Sequence, residues 1–303
     1  MKFLDLFAGI GGFRLGMERA SHKCVGYCEI DKYARLSYNA IHNTEGEIDY
    51  KDITEVTNEE FRKLRGKVDV ICGGFPCQAF QLLETNWDLR MLEELYSMKL
   101  LERLNKSNHA ICFLKTLETY YHTTKEKRSR ECLKSWMNWG MMLNGKCLTA
   151  KISEFPKTEN ECSLLDILEE NVPTEFFLIS PTLNTMQGGG REPKVLVREA
   201  TKQGYAVADV GDSINFSHPN SKPRRGRVGK NIANTLLTSD EQGVVLSDYK
   251  IRKLTPRECW RLQGFPDWAF DKAQEVNSNS QLYKQAGNSV TVNVIEEIAK
   301  RLR

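Results

Sequence analysis

Residues 2–13, KFLDLFAGIGGF, join a short apolar run to a glycine-rich turn, and FRLGMERA (13–20), which follows, has the apolar spacing of a helix. Glycine accepts the left-handed backbone that such a turn needs, and the start of a helix leaves amide donors without intrahelical partners. Two further apolar runs, CVGYCEI (24–30) and VDVICGGF (68–75), flank a second helical stretch, KYARLSYNAIH (32–42). Strand and helix in alternation predict a parallel sheet with crossover helices, an α/β fold. Ligands of such sheets collect outside the carboxyl ends of the strands. The turn at 7–12 falls where a ligand is expected.

Away from this stretch the pattern loses regularity. A Leu-rich segment (89–104) reads as helix, SLLDILEENVP (163–173) as a short helix capped by Ser163 and followed by Pro173, and 184–250 as loops with brief strands such as KVLV (194–197) and GVVL (243–246). Pro256 opens a helix in PRECWRLQGF, and VTVNVIEEIAKRLR (290–303) has an apolar face at helical spacing. No strand is recognisable between 81 and 180. VDVICGGF is therefore expected at the edge of a truncated sheet, its flank covered by other segments or by a partner chain.

A chain of 303 residues, 40% apolar and 27% charged, is long enough to bury the core of one large or two smaller domains. It has no apolar run of the length a membrane helix or signal sequence needs, so an intracellular, cytoplasmic protein is expected. Its nine cysteines form no CxxC pair. In a reducing compartment they are expected as thiols, with no metal site. A net charge of +3 is too small to indicate nucleic acid, so local clustering has to decide. SHPNSKPRRGRVGK (217–230) holds Lys222, Arg224, Arg225, Arg227 and Lys230 without an acid. Guanidinium forks in a flexible loop suit phosphate oxygens, although composition alone fits a solvated loop equally well.

Three constellations carry chemistry. Gly9 and Gly11 let a ligand approach the backbone, and Glu29, at the end of the next strand, is placed to accept hydrogen bonds from the two hydroxyls of a ribose. Asp52, after a third candidate strand, adds a polar group on the same edge. The second constellation is GGFPCQ (73–78), where Cys77 lies in a turn of glycine and proline; partial exposure there suits a reactive thiol better than a core cysteine. The third is QAGNSV (285–290), read as a glycine turn that opens the last helix and brings Asn288 and Ser289 to a ligand.

At these residues the chain resembles the DNA cytosine-5 methyltransferases: DLFAGIGGF is similar to the family's first motif, GGFPCQAF to its fourth, RKLTPRECWRLQGFPD (252–267) to its ninth and QAGNSVTVNVIEEI (285–298) to its tenth. The resemblance implies a Rossmann-like methyltransferase domain dependent on S-adenosylmethionine, with a small, irregular, β-rich target-recognition region. It implies Phe7, Ile10, Glu29, Ile30, Asp52, Ile53, Pro76, Asn288, Ser289 and Val290 around the cofactor. Cys77 would be the nucleophile and double-stranded DNA the substrate, in a bacterial or phage setting. The expected division is 1–80 with 270–303 as the catalytic, cofactor-binding domain, 81–180 as a variable segment, and 181–269 as the recognition region.

The sequence departs from the family pattern in its middle. The sixth motif, Glu-Asn-Val, whose glutamate would hold the target base, recurs in letters at Glu170-Asn171-Val172, but 93 residues after Cys77, about twice the family's interval. Arg225 and Arg227 resemble the arginine pair of the eighth motif yet stand only 27 and 25 residues before Arg252. Contact with the DNA backbone is their expected task. The alternative to an active enzyme is a catalytically silent relative that binds cofactor and DNA.

Overall fold

The computed structural model describes residues 1–74, 110–113, 139–143, 146–150, 168, 195–217, 226–239, 241–247 and 249–302. The chain divides into two compact units: 1–157 with 275–277 and 289–303, and 158–274 with 278–288. This differs from the sequence-based division, because strands from the 81–180 segment belong to the sheet of the first unit.

That sheet has the order β3-β2-β1-β4-β5-β6-β7 among the described residues. Its strands are β1 (Lys2–Leu6), β2 (Lys23–Cys28), β3 (Ile48–Tyr50), β4 (Val70–Gly73), β5 (Ala110–Phe113), β6 (Trp139–Leu143) and β7 (Lys146–Ala150). The first five are parallel. β6 runs antiparallel to β5, and β7 antiparallel to β6. The sheet is therefore not truncated, and β4 is not an edge strand: Val70 to Gly73 pair with Phe3 to Leu6 on one side and with Ala110 to Phe113 on the other. A four-residue apolar run such as AICF is too short for periodicity to identify as a strand.

Alternation along β1 and β4 sends side chains to two buried faces, the pattern of a sheet covered on both sides. Phe3, Val70 and Cys72 pack with Phe13, Met17, Ile295 and Ile298. Leu4, Leu6 and Ile71 pack on the opposite side with Val56, Phe61 and Leu64. The first face is covered by α1 (Gly12–Arg19) and α7 (Val292–Ala299). Gly16 permits their close approach, since a Cβ there would lie 2.5 Å from that of Ile295. Two further helices cross between strands. α2 (Lys32–Ile41) is capped by Asp31, which accepts the amides of Tyr33 and Ala34, and α3 (Asn58–Lys63) opens with a Thr57–Glu60 capping box.

The second unit contains a two-stranded sheet, β8 (Val195–Arg198) with β9 (Tyr205–Ala208), and an antiparallel sheet ordered β11-β10-β12-β13. Those four strands are Val228–Gly229, Ser213–Asn215, Gln242–Val245 and Ile251–Lys253 respectively. α4 (Pro256–Leu262) and most of α5 (Asp267–Val276) and α6 (Asn279–Asn288) belong to the same unit. QAGN is not a turn: it forms the end of α6. Gly287 serves close packing there, because a Cβ would collide with the backbone of Leu237 and Thr238.

Candidate functional site

The polypeptide leaves β1 in a left-handed conformation at Phe7 (φ 54°) and returns to it at Gly9 (57°) and Gly11 (85°). Only glycine adopts this region freely; for phenylalanine it costs about 1 kcal/mol or more and persists where neighbours fix it. They do so here. The Ala8 amide donates to the Cys28 carbonyl at 3.0 Å and the Gly11 amide to the Ala8 carbonyl at 2.8 Å. The Gly9 amide donates to Oε2 of Glu29 at 2.7 Å. Oε1 of the same carboxylate accepts the Asp31 amide at 2.8 Å, so Glu29 is fixed against the turn with lone pairs remaining on both oxygens.

Ile30 is 72% exposed. Asp52 accepts the amide and hydroxyl of Thr54 on Oδ1, at 2.8 and 2.7 Å. A Cβ on Gly12 would stand 2.9 Å from Val290 and 3.0 Å from the Ser289 hydroxyl, which puts the segment before α7 against the start of α1. Ile10 and Ile53 are buried, Ile53 within the Leu4–Leu6–Ile71 core. Pro76, Cys77, Glu170, Arg224 and Arg225 lie outside the described residues, as do 89–104 and Ser163. Asn288 belongs to the second unit.

Sequence reading missed the groups beneath the turn. Asp5 is fully buried and Oδ1 has no hydrogen-bond partner, while Oδ2 accepts from the Tyr38 hydroxyl at 3.4 Å. Burial raises its pKa despite the pull of Arg14. Arg14 is itself buried, donating to Glu47 at 2.7 and 2.9 Å, to Glu18 at 2.9 Å and to the Asn43 carbonyl at 3.0 Å. Tyr38 stacks on Tyr27 at 4.3 Å and meets the His42 ring at 4.6 Å. Polar residues inside otherwise apolar elements were the available signal.

Cys24, Cys28, Cys72 and Cys259 are buried thiols, and burial pushes Cys24 and Cys28 up to about 12. These two are poor thiolates near neutral pH. Among the described residues no cluster of metal-ligating side chains occurs, and no helix is long and apolar enough to cross a membrane.

In the second unit Arg227 is 5% exposed and donates to the Ser217 carbonyl at 3.2 Å, while its amide donates to Glu199 at 2.7 Å. Its guanidinium is built into the fold, contrary to the solvent-facing loop expected from composition. Lys230 bridges Asp209 and Asp212 at 2.7 and 2.6 Å.

A model of the C-5 cytosine-specific DNA methylase family matches residues 1–83 and 103–303. The type II methyltransferase M.HpaII of Haemophilus parainfluenzae is 27% identical over 336 aligned residues, covering 99% of this chain and 88% of that protein. An orphan methyltransferase of Bacillus phage SPbeta, M.SPBetaI, is 48% identical over 128 residues, which span 41% of this chain and 28% of the relative. The structure of the Entamoeba histolytica methyltransferase EhMeth superimposes with a TM-score of 0.56 at 16% identity, covering 98% of this chain and 96% of that one.

Proposed function

The chain belongs to the C-5 cytosine-specific DNA methylase family and is an enzyme of that kind, and on that premise we propose that it methylates carbon 5 of cytosine in double-stranded DNA through a covalent adduct with Cys77. The methyl donor is S-adenosylmethionine, and the reaction runs in the cytoplasm of a bacterial or phage-infected cell. One observation carries the reading: β1 and β4 are neighbours whose ends, Leu6 and Gly73, are paired. The glycine turn follows Leu6 directly, and Cys77 follows Gly73 by four residues.

The residues of the turn fit the donor. Space is open beside Gly9, Glu29 keeps acceptor capacity for ribose hydroxyls, and the exposed Ile30 offers an apolar surface to a base. Asp52, Ser289 and Val290 would complete the contacts. Bound there, S-adenosylmethionine supplies an electrophilic methyl group. The Cys77 thiolate adds to carbon 6 of the cytosine, and the electron pair displaced from the 5,6 double bond makes carbon 5 nucleophilic. That pair forms the new carbon–carbon bond as the methyl–sulfur bond breaks to leave S-adenosylhomocysteine; loss of the carbon 5 proton to a base then frees the C–H pair to restore the 5,6 double bond and expel the thiolate. The base must leave the helical stack to be reached, and Arg224 and Arg225 are the candidates for holding the phosphates meanwhile. The burial of Arg227 removes it from that task.

A second reading, a silent relative that binds cofactor and DNA, is favoured by the sequence after β5. In the sequence, Phe113, the last residue of the strand paired with β4, is followed by Leu114-Lys115-Thr116, without the Glu-Asn-Val of the sixth motif. Incubation with methyl-labelled S-adenosylmethionine and DNA separates the two. The first reading expects 5-methylcytosine, lost in Cys77→Ser. Label on an exocyclic amine would overturn it, and cofactor and DNA binding without transfer would establish the second.

A further inference from the structure

Beneath the glycine turn, His42 terminates α2 and its ring projects towards the backbone of Ile10, with Nε2 3.4 Å from the Ile10 carbonyl. A ring nitrogen bonds a carbonyl only as a donor, so this contact calls for the tautomer with its proton on Nε2. The same ring fills the space of a side chain at position 11: a Cβ on Gly11 would collide with it. The ring also meets that of Tyr38, which is held in turn by Tyr27 and by the hydroxyl contact to Asp5. On the outer side, Glu29 holds the Gly9 amide. The turn is thus gripped at Gly9 by a carboxylate that also faces the proposed ligand, and at Ile10 by a group that faces only the protein.

We propose that His42 is a positioning residue for S-adenosylmethionine: its Nε2–H fixes the Ile10 carbonyl, and with it the orientation of the turn, without touching the cofactor. The inference rests on the turn being the cofactor site. A hydrogen bond that sets the ligand-facing backbone contributes to ground-state binding, so its loss raises KM and leaves kcat in place.

The test uses the full chain and measures S-adenosylmethionine affinity by calorimetry, with methyl transfer alongside. His42→Phe keeps a ring against Tyr38 and below Gly11 but has no donor. It should weaken affinity roughly five- to tenfold, as expected for one hydrogen bond, raise KM by a similar factor and leave kcat within about twofold. His42→Gln, which regains a donor, should recover part of that loss even though the ring is gone. If His42→Phe binds as tightly as the unaltered chain, or if His42→Gln binds no better than His42→Phe, the proposal fails. Failure of the unaltered chain to bind S-adenosylmethionine, or binding unaffected by Glu29→Ala, would instead remove the underlying site.

Discussion

Helix α4 opens on contacts made by its own residues, whereas α1 opens on a turn without them. At α4 the Thr255 hydroxyl accepts the Glu258 amide at 3.2 Å, and the Thr255 amide donates back to the Glu258 carboxylate at 2.8 Å. Glu258 also holds Arg252 through a buried pair at 2.6 and 2.9 Å. At α1 the cap is Gly11, which has no side chain, and the first turn carries no acid. The polar groups near α1 are arranged around the turn: Glu29 outside it, His42 below it and Asp5 deeper. Local side chains close one helix start for stability. The other is packed in by residues distant in sequence, His42 at Gly11 and Ser289–Val290 at Gly12, with the half-buried Gly9 and the strained Phe7 backbone preceding it, an arrangement found where ligands bind.

Altering Glu258 should have the largest effect. Glu258→Ala leaves the Arg252 guanidinium buried without its carboxylate and removes the cap, so denaturant melts should show a loss of about 3–5 kcal/mol. A loss below about 1 kcal/mol would mean the α4 start is not a closed unit. At α1 the corresponding change acts on ligand binding. Glu29→Ala should weaken S-adenosylmethionine by about 1.5–3 kcal/mol, the range for hydrogen bonds to a charged group, in a calorimetric titration. Unchanged affinity would place the ribose elsewhere.

The smallest effect concerns Asp5 and depends on pH. Burial raises its folded pKa, so above the ordinary carboxylate value the folded chain retains a proton that the unfolded chain has released. Stability then falls as pH rises from about 4 towards the raised value. Asp5→Asn has no such proton to hold. It should melt higher than the unaltered chain at neutral pH, with the gap closing near pH 4. A gap independent of pH would mean that Asp5 is not the group responsible.

How much of the molecule was legible in the sequence depends on how local each signal is. KFLDLFAGIGG and CVGYCEI identified β1, the turn and β2 because apolar runs beside glycines are local features. AICF gave no such signal, since a run of four residues is too short for periodicity to identify as a strand. Asn144-Gly145, the two residues between β6 and β7, is a strong hairpin signal that was available and unread. QAGNS has turn composition, but Gly287 is required by the Leu237 backbone, which lies 50 positions away in sequence. Glu29 was legible from its place after β2, whereas His42, Tyr38 and Asp5 act only through tertiary contact.

The central claim is covalent catalysis by Cys77, and DNA containing 5-fluorocytosine tests it most directly. Fluorine in place of the carbon 5 proton blocks the elimination that would release the enzyme. Incubation with S-adenosylmethionine should therefore leave a stable protein–DNA adduct, found by mass spectrometry on the peptide that contains Cys77 and missing in Cys77→Ser. No adduct on DNA of varied sequence, from a folded protein that binds S-adenosylmethionine, would contradict the claim.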